Sequence, residues 1–218
     1  MTVGKTYVAN IIRDHLYSIQ VAHNDIKHRP PKPILKQCVW GIDLTFKTDS
    51  QKQTHPILGI IEHHSRKSLT LAALKDKSTI ALLRAIFIAI ERYGKPKNIR
   101  TDNEAVFTSK RFVFSLRLLG IKHQTIDKHC PWQNGRVERF FGTLKQKLNQ
   151  VALGSLESLN QDLSEFQFWY NSIRTYNNLN GKTPDEVWYD TSVKQHRYDN
   201  AYYFSAWEGL LTGFYHPI

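Results

Sequence analysis

The chain has 218 residues, enough for one domain of ordinary size with a small extension. Hydrophobic residues make up 41% and aromatic residues 12%, which supplies a packed core and argues against a disordered chain. Lys and Arg total 30 against 19 Asp and Glu, so the formal net charge of +11 favours a polyanionic partner such as nucleic acid. A basic protein without such a partner would have the same composition.

The start of the chain is predicted to be a helix followed by a basic arm. Residues 2–20 carry apolar residues at helical spacing, and the prolines at 30, 31 and 33 then favour an extended strap. Residues 1–33 therefore form the first predicted segment. Its basic composition fits an arm that contacts DNA and fits a solvated linker equally well.

Three strands and a helix are predicted next. The stretches QCVWGIDLTFKT, THPILGIIEHH and KSLTLAALK are separated by short polar turns and suggest an antiparallel meander. Ser78 or Thr79 can cap a helix that runs through Tyr93, and Gly94 and Pro96 stop it.

The remainder of the chain alternates strands and helices. KNIRTD and GIKHQTI are predicted strands on either side of a helix at 108–119. Helices follow over GRVERFFGTLKQKL and 156–176, then a turn and a short helix in NGKTPDEVWYD. This order predicts an α/β domain with a mixed sheet over 34–190. Residues 191–218 form an aromatic tail to which the sequence assigns no structure.

Two cysteines, Cys38 and Cys130, lie far apart and form no CxxC pair, so we expect reduced thiols. His123, His129 and Cys130 lack the paired ligand spacing of a zinc site. No apolar run approaches the ~20 residues of a membrane span, and the chain does not open with a secretory hydrophobic region. These features predict a cytoplasmic protein.

Three carboxylates occupy unusual positions. Asp43 lies in an apolar strand, Asp102 ends a short strand, and Glu138 lies one residue off the apolar stripe of its helix. A hard divalent cation such as Mg²⁺ would gather them, because it prefers carboxylate oxygens. Each acid also has a structural explanation: Asp43 could pair with a buried arginine, and Asp102 could shape a turn. Glu138 could pair with Arg139 or Lys145.

Thirty-five residues separate Asp102 from Glu138, and the motifs WGIDLTF, IRTDN and PWQNGRVERFFGTLK stand in that order. This resembles the D…D-35-E pattern of retroviral integrases and of the bacterial insertion-sequence transposases that share their catalytic core. The likeness covers about residues 34–190 and extends into FQFWYNSIRTYNNLNGKTPDEVW. It implies an RNase H-like fold, with a mixed five-stranded sheet flanked by helices. It also implies a DDE transposase or integrase that cleaves DNA strands and transfers them.

By position, the resemblance implies that Asp43, Asp102 and Glu138 are catalytic and hold two Mg²⁺ or Mn²⁺ ions. One ion would activate water or a DNA 3′-hydroxyl, and the other would stabilise the leaving oxygen. The implied partner is DNA, as element ends and as target, bound by an oligomer in a synaptic complex. The implied location is the bacterial cytoplasm, in association with the nucleoid.

The resemblance also points to residues that contact DNA. The family carries Lys or Arg two turns beyond the glutamate, which here is Lys145. Asn134, Glu138, Gly142, Lys145 and Asn149 would share one helix face, on which Gly142 leaves room for a sugar-phosphate backbone. Trp132 would stack on a base or pack in the protein. The expected DNA contacts are Trp132, Asn134, Arg136, Arg139, Gly142 and Lys145.

The chain departs from the family pattern in three places. Glu104 stands where many relatives have glycine, and we expect this fourth carboxylate to point to solvent. Arg174 is followed by Thr175 and Tyr176, where relatives often read R-x-H. Residues 1–33 do not accommodate the usual helix-turn-helix region, so we expect a truncated chain or one product of a split gene.

Two other functions remain open from the sequence. An RNase H-type nuclease would hydrolyse DNA without joining it and yield only shorter fragments. A domesticated, catalytically silent module would retain DNA and yield no product with Mg²⁺ or Mn²⁺. The presence of all three acids disfavours the silent module.

Overall fold

The computed structural model describes residues 4–21, 33–50, 52–126, 131–151, 154–191 and 201–217. The chain divides into two compact units, Met1–Pro33 and Ile34–Ile218. In the first unit, helix α1 spans Lys5–Asp14, and residues 16–21 are also helical. The predicted strap falls mostly at 22–32, outside the described residues.

A mixed five-stranded sheet forms the centre of the second unit, in the order β3-β2-β1-β4-β5. Strands β1, β2 and β3 form an antiparallel meander, whereas β4 is parallel to β1 and to β5. The predicted meander and mixed sheet are confirmed. The strands are β1 (Val39–Thr48), β2 (Thr54–Glu62), β3 (Ser68–Ala73), β4 (Asn98–Thr101) and β5 (Lys122–Thr125).

Helices flank this sheet, and none in the described part of the chain is long and apolar enough to cross a membrane. Ser78 accepts a hydrogen bond from the amide of Ala81 at the start of α2, and Gly94 (φ +85°) ends that helix as predicted. The helices are α2 (Thr79–Tyr93), α3 (Ala105–Thr108), α4 (Lys110–Leu118), α5 (Gly135–Leu148), α6 (Leu156–Phe168) and α7 (Pro184–Trp188).

The helix predicted over 156–176 is shorter than expected. Helix α6 ends at Phe168, a π-helical turn covers Trp169–Ile173, and the backbone at Arg174 is extended. The side chain of Asn171 in this turn donates to the carbonyl of Ser68 at 2.9 Å and accepts from its amide at 2.8 Å. This tertiary contact accounts for the widened turn.

Two hydrophobic clusters cover the two faces of the sheet. Trp40, Ile42 and Leu44 of β1 belong to the cluster that includes α2 and α4, whereas Ile57 and Ile61 of β2 pack with α5 and α6. Because successive strand residues point to opposite faces, the odd-numbered residues of β1 face α5. The sheet therefore presents Asp43 to α5.

The aromatic tail forms a hairpin of β6 (Tyr202–Ala206) and β7 (Leu211–Tyr215). Trp207, between the strands, stacks on Phe166 of α6 with ring centroids 5.9 Å apart, and Leu211 is fully buried. Both residues belong to the hydrophobic cluster of α5 and α6.

Candidate active site

Helix α5 lies beside strand β1 and runs in the same direction. At one end, the Oδ1 atom of Asn134, the residue before α5, lies 3.3 Å from where a Cβ on Gly41 would stand. At the other end, Lys47 Nζ donates a hydrogen bond to Asn149 Oδ1 at 2.9 Å. Two residues of a strand span about 6.7 Å and four residues of a helix span about 6 Å. Every second residue of β1 therefore lies beside about every fourth residue of α5.

Glu138 and Asp43 are neighbours in this contact, since the negative charge of Glu138 acts on the carboxyl group of Asp43. Glu138 follows Asn134 by four residues, and Asp43 follows Gly41 by two. Glu138 is exposed and makes no ion pair with a neighbour in the described part of the chain. The surface pair left open for Glu138 is therefore not formed.

Asp102 is brought near Asp43 by the pairing of β4 with β1. The parallel pairing of β1 and β4 ends with Gly41 opposite Arg100, and Asp43 and Asp102 each follow these residues by two positions. The negative charge of Asp102 acts on Asp43, so the two carboxylates are neighbours. Asp102 Oδ1 accepts a hydrogen bond from the amide of Glu104 at 3.0 Å, so this aspartate also shapes the turn after β4.

The electrostatics of Asp43 reflect this crowding. The pKa of Asp43 is raised to about 6, mainly by burial and in addition by the negative charges of Asp102, Glu104 and Glu138. The hydrogen bond from the amide of Leu44, at 2.8 Å, acts in the opposite direction. The described residues give Asp43 no cationic partner, so the buried ion pair considered for it is not observed. A cation among these carboxylates would favour the ionised form.

Glu104, expected to point to solvent, is half-buried, and its charge acts on Asp43. Within the described ranges, no three His, Cys, Asp or Glu side chains are arranged to hold a metal ion. The carboxylates are neighbours but do not form a closed cage in this conformation. Mutual repulsion between their charges favours this open arrangement.

The structure divides the six residues predicted to contact DNA. Arg136 is half-buried and donates a hydrogen bond to the carbonyl oxygen of His63. Asn134 is 1% exposed and lies beneath the helix surface. The side chain of Trp132 lies outside the described part of the structure. Three are exposed on α5: Arg139, Gly142 and Lys145.

Asn134 does not lie on the predicted helix face, and the reason is its local backbone conformation. It belongs to the 3₁₀ turn Pro131–Asn134, and α5 begins only at Gly135. With φ −106° and ψ 11°, Asn134 does not follow the helical periodicity on which the sequence prediction depended. At Gly142, in contrast, a Cβ added to the glycine would meet no atom within 4 Å, so the helix surface is open there.

His63, at the end of β2, is a site residue that sequence reasoning missed. It is 2% exposed, and the imidazole lies against Gly41. The pKa of His63 is lowered to about 3, mainly by burial and in addition by the positive charges of Arg136, Arg100 and Arg66. No periodicity or motif marks His63, because its position depends on the contact between β1 and the start of α5.

Family models match most of the second unit. Two models, both described as "Integrase core domain", match residues 36–131 and 119–184. The insertion element IS476 uncharacterized 39.2 kDa protein of Xanthomonas euvesicatoria is 27% identical over 146 residues, which cover 66% of this chain and 42% of that protein. The Gag-Pro-Pol polyprotein of human T-cell leukemia virus 3 is 35% identical over 115 residues, which cover 53% of this chain and 8% of the polyprotein. The chain thus spans less than half of these relatives.

Solved structures share the fold. The HTLV-2 integrase catalytic core domain in complex with magnesium matches with a TM-score of 0.59 and 24% identity, covering 72% of this chain and 99% of that chain. A chain of a simian T-cell lymphotropic virus intasome matches with a TM-score of 0.63 and 21% identity, and the match covers 79% of this chain and 60% of that chain. These likenesses confirm the predicted RNase H-like fold.

Proposed function

The chain belongs to the integrase core domain family, and we propose that it is the catalytic domain of a DDE transposase that cleaves DNA strands and transfers them. The observation that carries this proposal is the electrostatic effect of Asp102 and Glu138 on the carboxyl group of Asp43. The β1–β4 register and the contact of α5 with β1 support the same grouping of the three residues.

Magnesium or manganese fits this donor set. All three side chains offer the carboxylate oxygens that these ions prefer. Burial, and after it the negative charges of the neighbouring carboxylates, raise the pKa of Asp43, and a dication would offset both effects. We propose that Asp43, Asp102 and Glu138 hold two such ions. When bound, the ions supply an activated nucleophilic oxygen and a stabilised leaving oxygen.

The protein's own residues would align the reacting groups. Asp43 lies on β1, and Asp102 directly follows the adjacent strand β4, so the sheet would position both aspartates. Glu138 comes from α5, so its position depends on how the helix lies on β1. Alignment and charge, rather than a covalent intermediate, would then account for the catalysis.

We propose that the exposed side of α5 holds the DNA backbone. Lys145 follows Glu138 by two helical turns, so both lie on one face. Gly142 lies between them and leaves space for a phosphate, while Arg139 adds a second exposed cation. The net charge of +11 supports the same partner. Element ends and target DNA would be brought together by an oligomer, in keeping with the intasome of a structural relative.

A strand-transfer assay tests this function. The substrates are DNA duplexes that end in the terminal repeats found beside the gene, with a target plasmid. We expect a larger joined product with Mg²⁺ and none with EDTA or in the Asp102→Asn variant. Shorter fragments alone would identify a hydrolytic nuclease, and DNA retention without any product would identify a silent binding module.

A further inference from the structure

Two buried polar atoms next to Asp43's strand have no hydrogen-bond partner in the described part of the protein. They are His63 Nε2 and Asn134 Oδ1. A Cβ on Gly41 would stand 2.5 Å from the first atom and 3.3 Å from the second, so both border the same small space. Buried polar atoms are rarely left unpaired, because they have lost water without gaining a partner.

The two atoms are complementary. His63 is neutral at ordinary pH, so one ring nitrogen carries a proton, and Nε2–H can donate to the amide oxygen of Asn134. With the other histidine tautomer and the amide turned over, Asn134 Nδ2 can donate to Nε2 instead. A hydrogen bond between these side chains is therefore available in either assignment.

The two side chains belong to different parts of the site. The amide of His63 donates to the carbonyl of Val39 at 2.9 Å, and its carbonyl accepts from Arg136, so its backbone is fixed to the sheet and to α5. Asn134 directly precedes α5, and its side chain does not cap that helix. Asn134 therefore marks the start of the helix that carries Glu138.

We propose that His63 is a positioning residue whose hydrogen bond to Asn134 draws the start of α5 against β1 and sets Glu138 beside Asp43. The inference rests on the proposed function, in which Glu138 holds a metal ion. Among the described residues the pair is open and no three carboxylates are arranged around a metal position. Because Asn134 directly precedes α5 and Glu138 lies in its first turn, a shift of the helix start toward β1 would move both side chains toward their partners.

Gly41 makes this contact sterically possible. A methyl group at that position would overlap His63 Nε2, and it would occupy the space through which the imidazole reaches Asn134. Glycine inside a strand often marks such a close approach of another group.

Manganese binding measured by electron paramagnetic resonance tests the inference, together with the melting temperature in EDTA. We expect His63→Leu to weaken Mn²⁺ binding about tenfold, as loss of a group that orients a ligand does. His63→Gln keeps a donor at the end of the side chain, and we expect it to restore most of that affinity. Unchanged affinity in His63→Leu would overturn the inference.

A matched control separates positioning from general stability. His55 is a second buried histidine, on β2 itself, with 4% exposure, and its Nε2 lies 2.8 Å from Asp49 Oδ2. We expect His55→Leu to lower the melting temperature without changing Mn²⁺ affinity. Equal losses of Mn²⁺ affinity in His55→Leu and His63→Leu would show a general structural effect and contradict the inference.

Asn134→Leu removes the acceptor from the helix side, so it serves if His63→Leu does not fold. We expect the same loss of affinity as in His63→Leu and no further loss in the double variant. Independent, additive losses would contradict a shared hydrogen bond. If the unchanged protein and Asp43→Asn bind Mn²⁺ alike, the proposed metal site itself fails, whatever the result at His63.

Discussion

Asp43 is held where its charge is unfavourable. The sequence made this visible, because an acid in the apolar run WGIDLTF has no reason to be there in a structural strand. The raised pKa and the missing cationic partner among the described residues fit that interpretation. The position of Asn134, in contrast, depended on a 3₁₀ turn that helical periodicity does not reveal.

Asp43→Asn should stabilise the metal-free protein. The folded pKa of Asp43, about 6, lies above the unfolded value of 3.8, so its contribution to stability is fully present below 3.8 and is lost as the pH rises through 6. Asparagine has no charge and can still accept the hydrogen bond from Leu44. We expect a gain of about 1–2 kcal/mol at pH 8, allowing for solvent screening, and almost none at pH 4.

Calorimetry in EDTA at both pH values measures this gain. A stability gain of equal size at pH 4 and pH 8 would show that Asp43 is not the group that titrates.

Lys145→Ala should weaken DNA binding while leaving metal binding intact. Lys145 is exposed on α5, two helical turns beyond Glu138, and it is not among the proposed metal ligands. We expect the salt dependence of DNA affinity to fall by about one phosphate contact. Lys110→Ala is the matched control, because α4 packs on the opposite face of the sheet. Equal effects of the two substitutions on DNA affinity would count against the proposed DNA face.

At the scale of elements, the sequence predicted the strands and helices whose limits depend on neighbouring residues. The alternation of apolar residues predicted strands β1 to β3. Ser78 as the N-cap and Gly94 at the end predicted the limits of α2. The π-helical turn after α6 was not predicted, because it depends on the hydrogen bonds between the Asn171 side chain and the backbone of Ser68, a residue distant in sequence. The hairpin of β6 and β7 was not predicted because Trp207 and Leu211, which anchor it, are buried in the hydrophobic cluster of α5 and α6, which are distant in sequence.

Gly59→Ala tests the packing of α5 on the sheet. A Cβ at Gly59, the residue that pairs with Asp43, would stand 2.7 Å from the ring of Phe141 on α5. We expect a loss of about 1–3 kcal/mol in the free energy of unfolding, measured with urea, because the helix must shift outward.

Gly135→Ala is the control for this substitution, since nothing lies within 4 Å of a Cβ there. We expect it to be neutral or stabilising, because alanine favours helix over glycine. If both variants had the same stability, close packing of α5 on β2 would not be needed for the fold.

At the scale of the whole molecule, the charge of +11 should make DNA binding strongly dependent on salt. Each phosphate contact releases condensed counterions, so affinity should fall steeply between 50 and 200 mM salt, by about a thousandfold if six phosphates are engaged. Fluorescence anisotropy with a labelled duplex measures this slope. An affinity insensitive to salt would contradict the role given to the net charge.

A crystal structure of the protein soaked with Mn²⁺ tests the central claim most directly. Anomalous scattering locates the ions without reference to any assumed ligand. We expect peaks between the strands and α5, with oxygens of Asp43, Asp102 and Glu138 at about 2.0–2.2 Å, similar to Mg²⁺. Manganese bound elsewhere, or a Glu138 side chain turned away from the ions, would contradict the account.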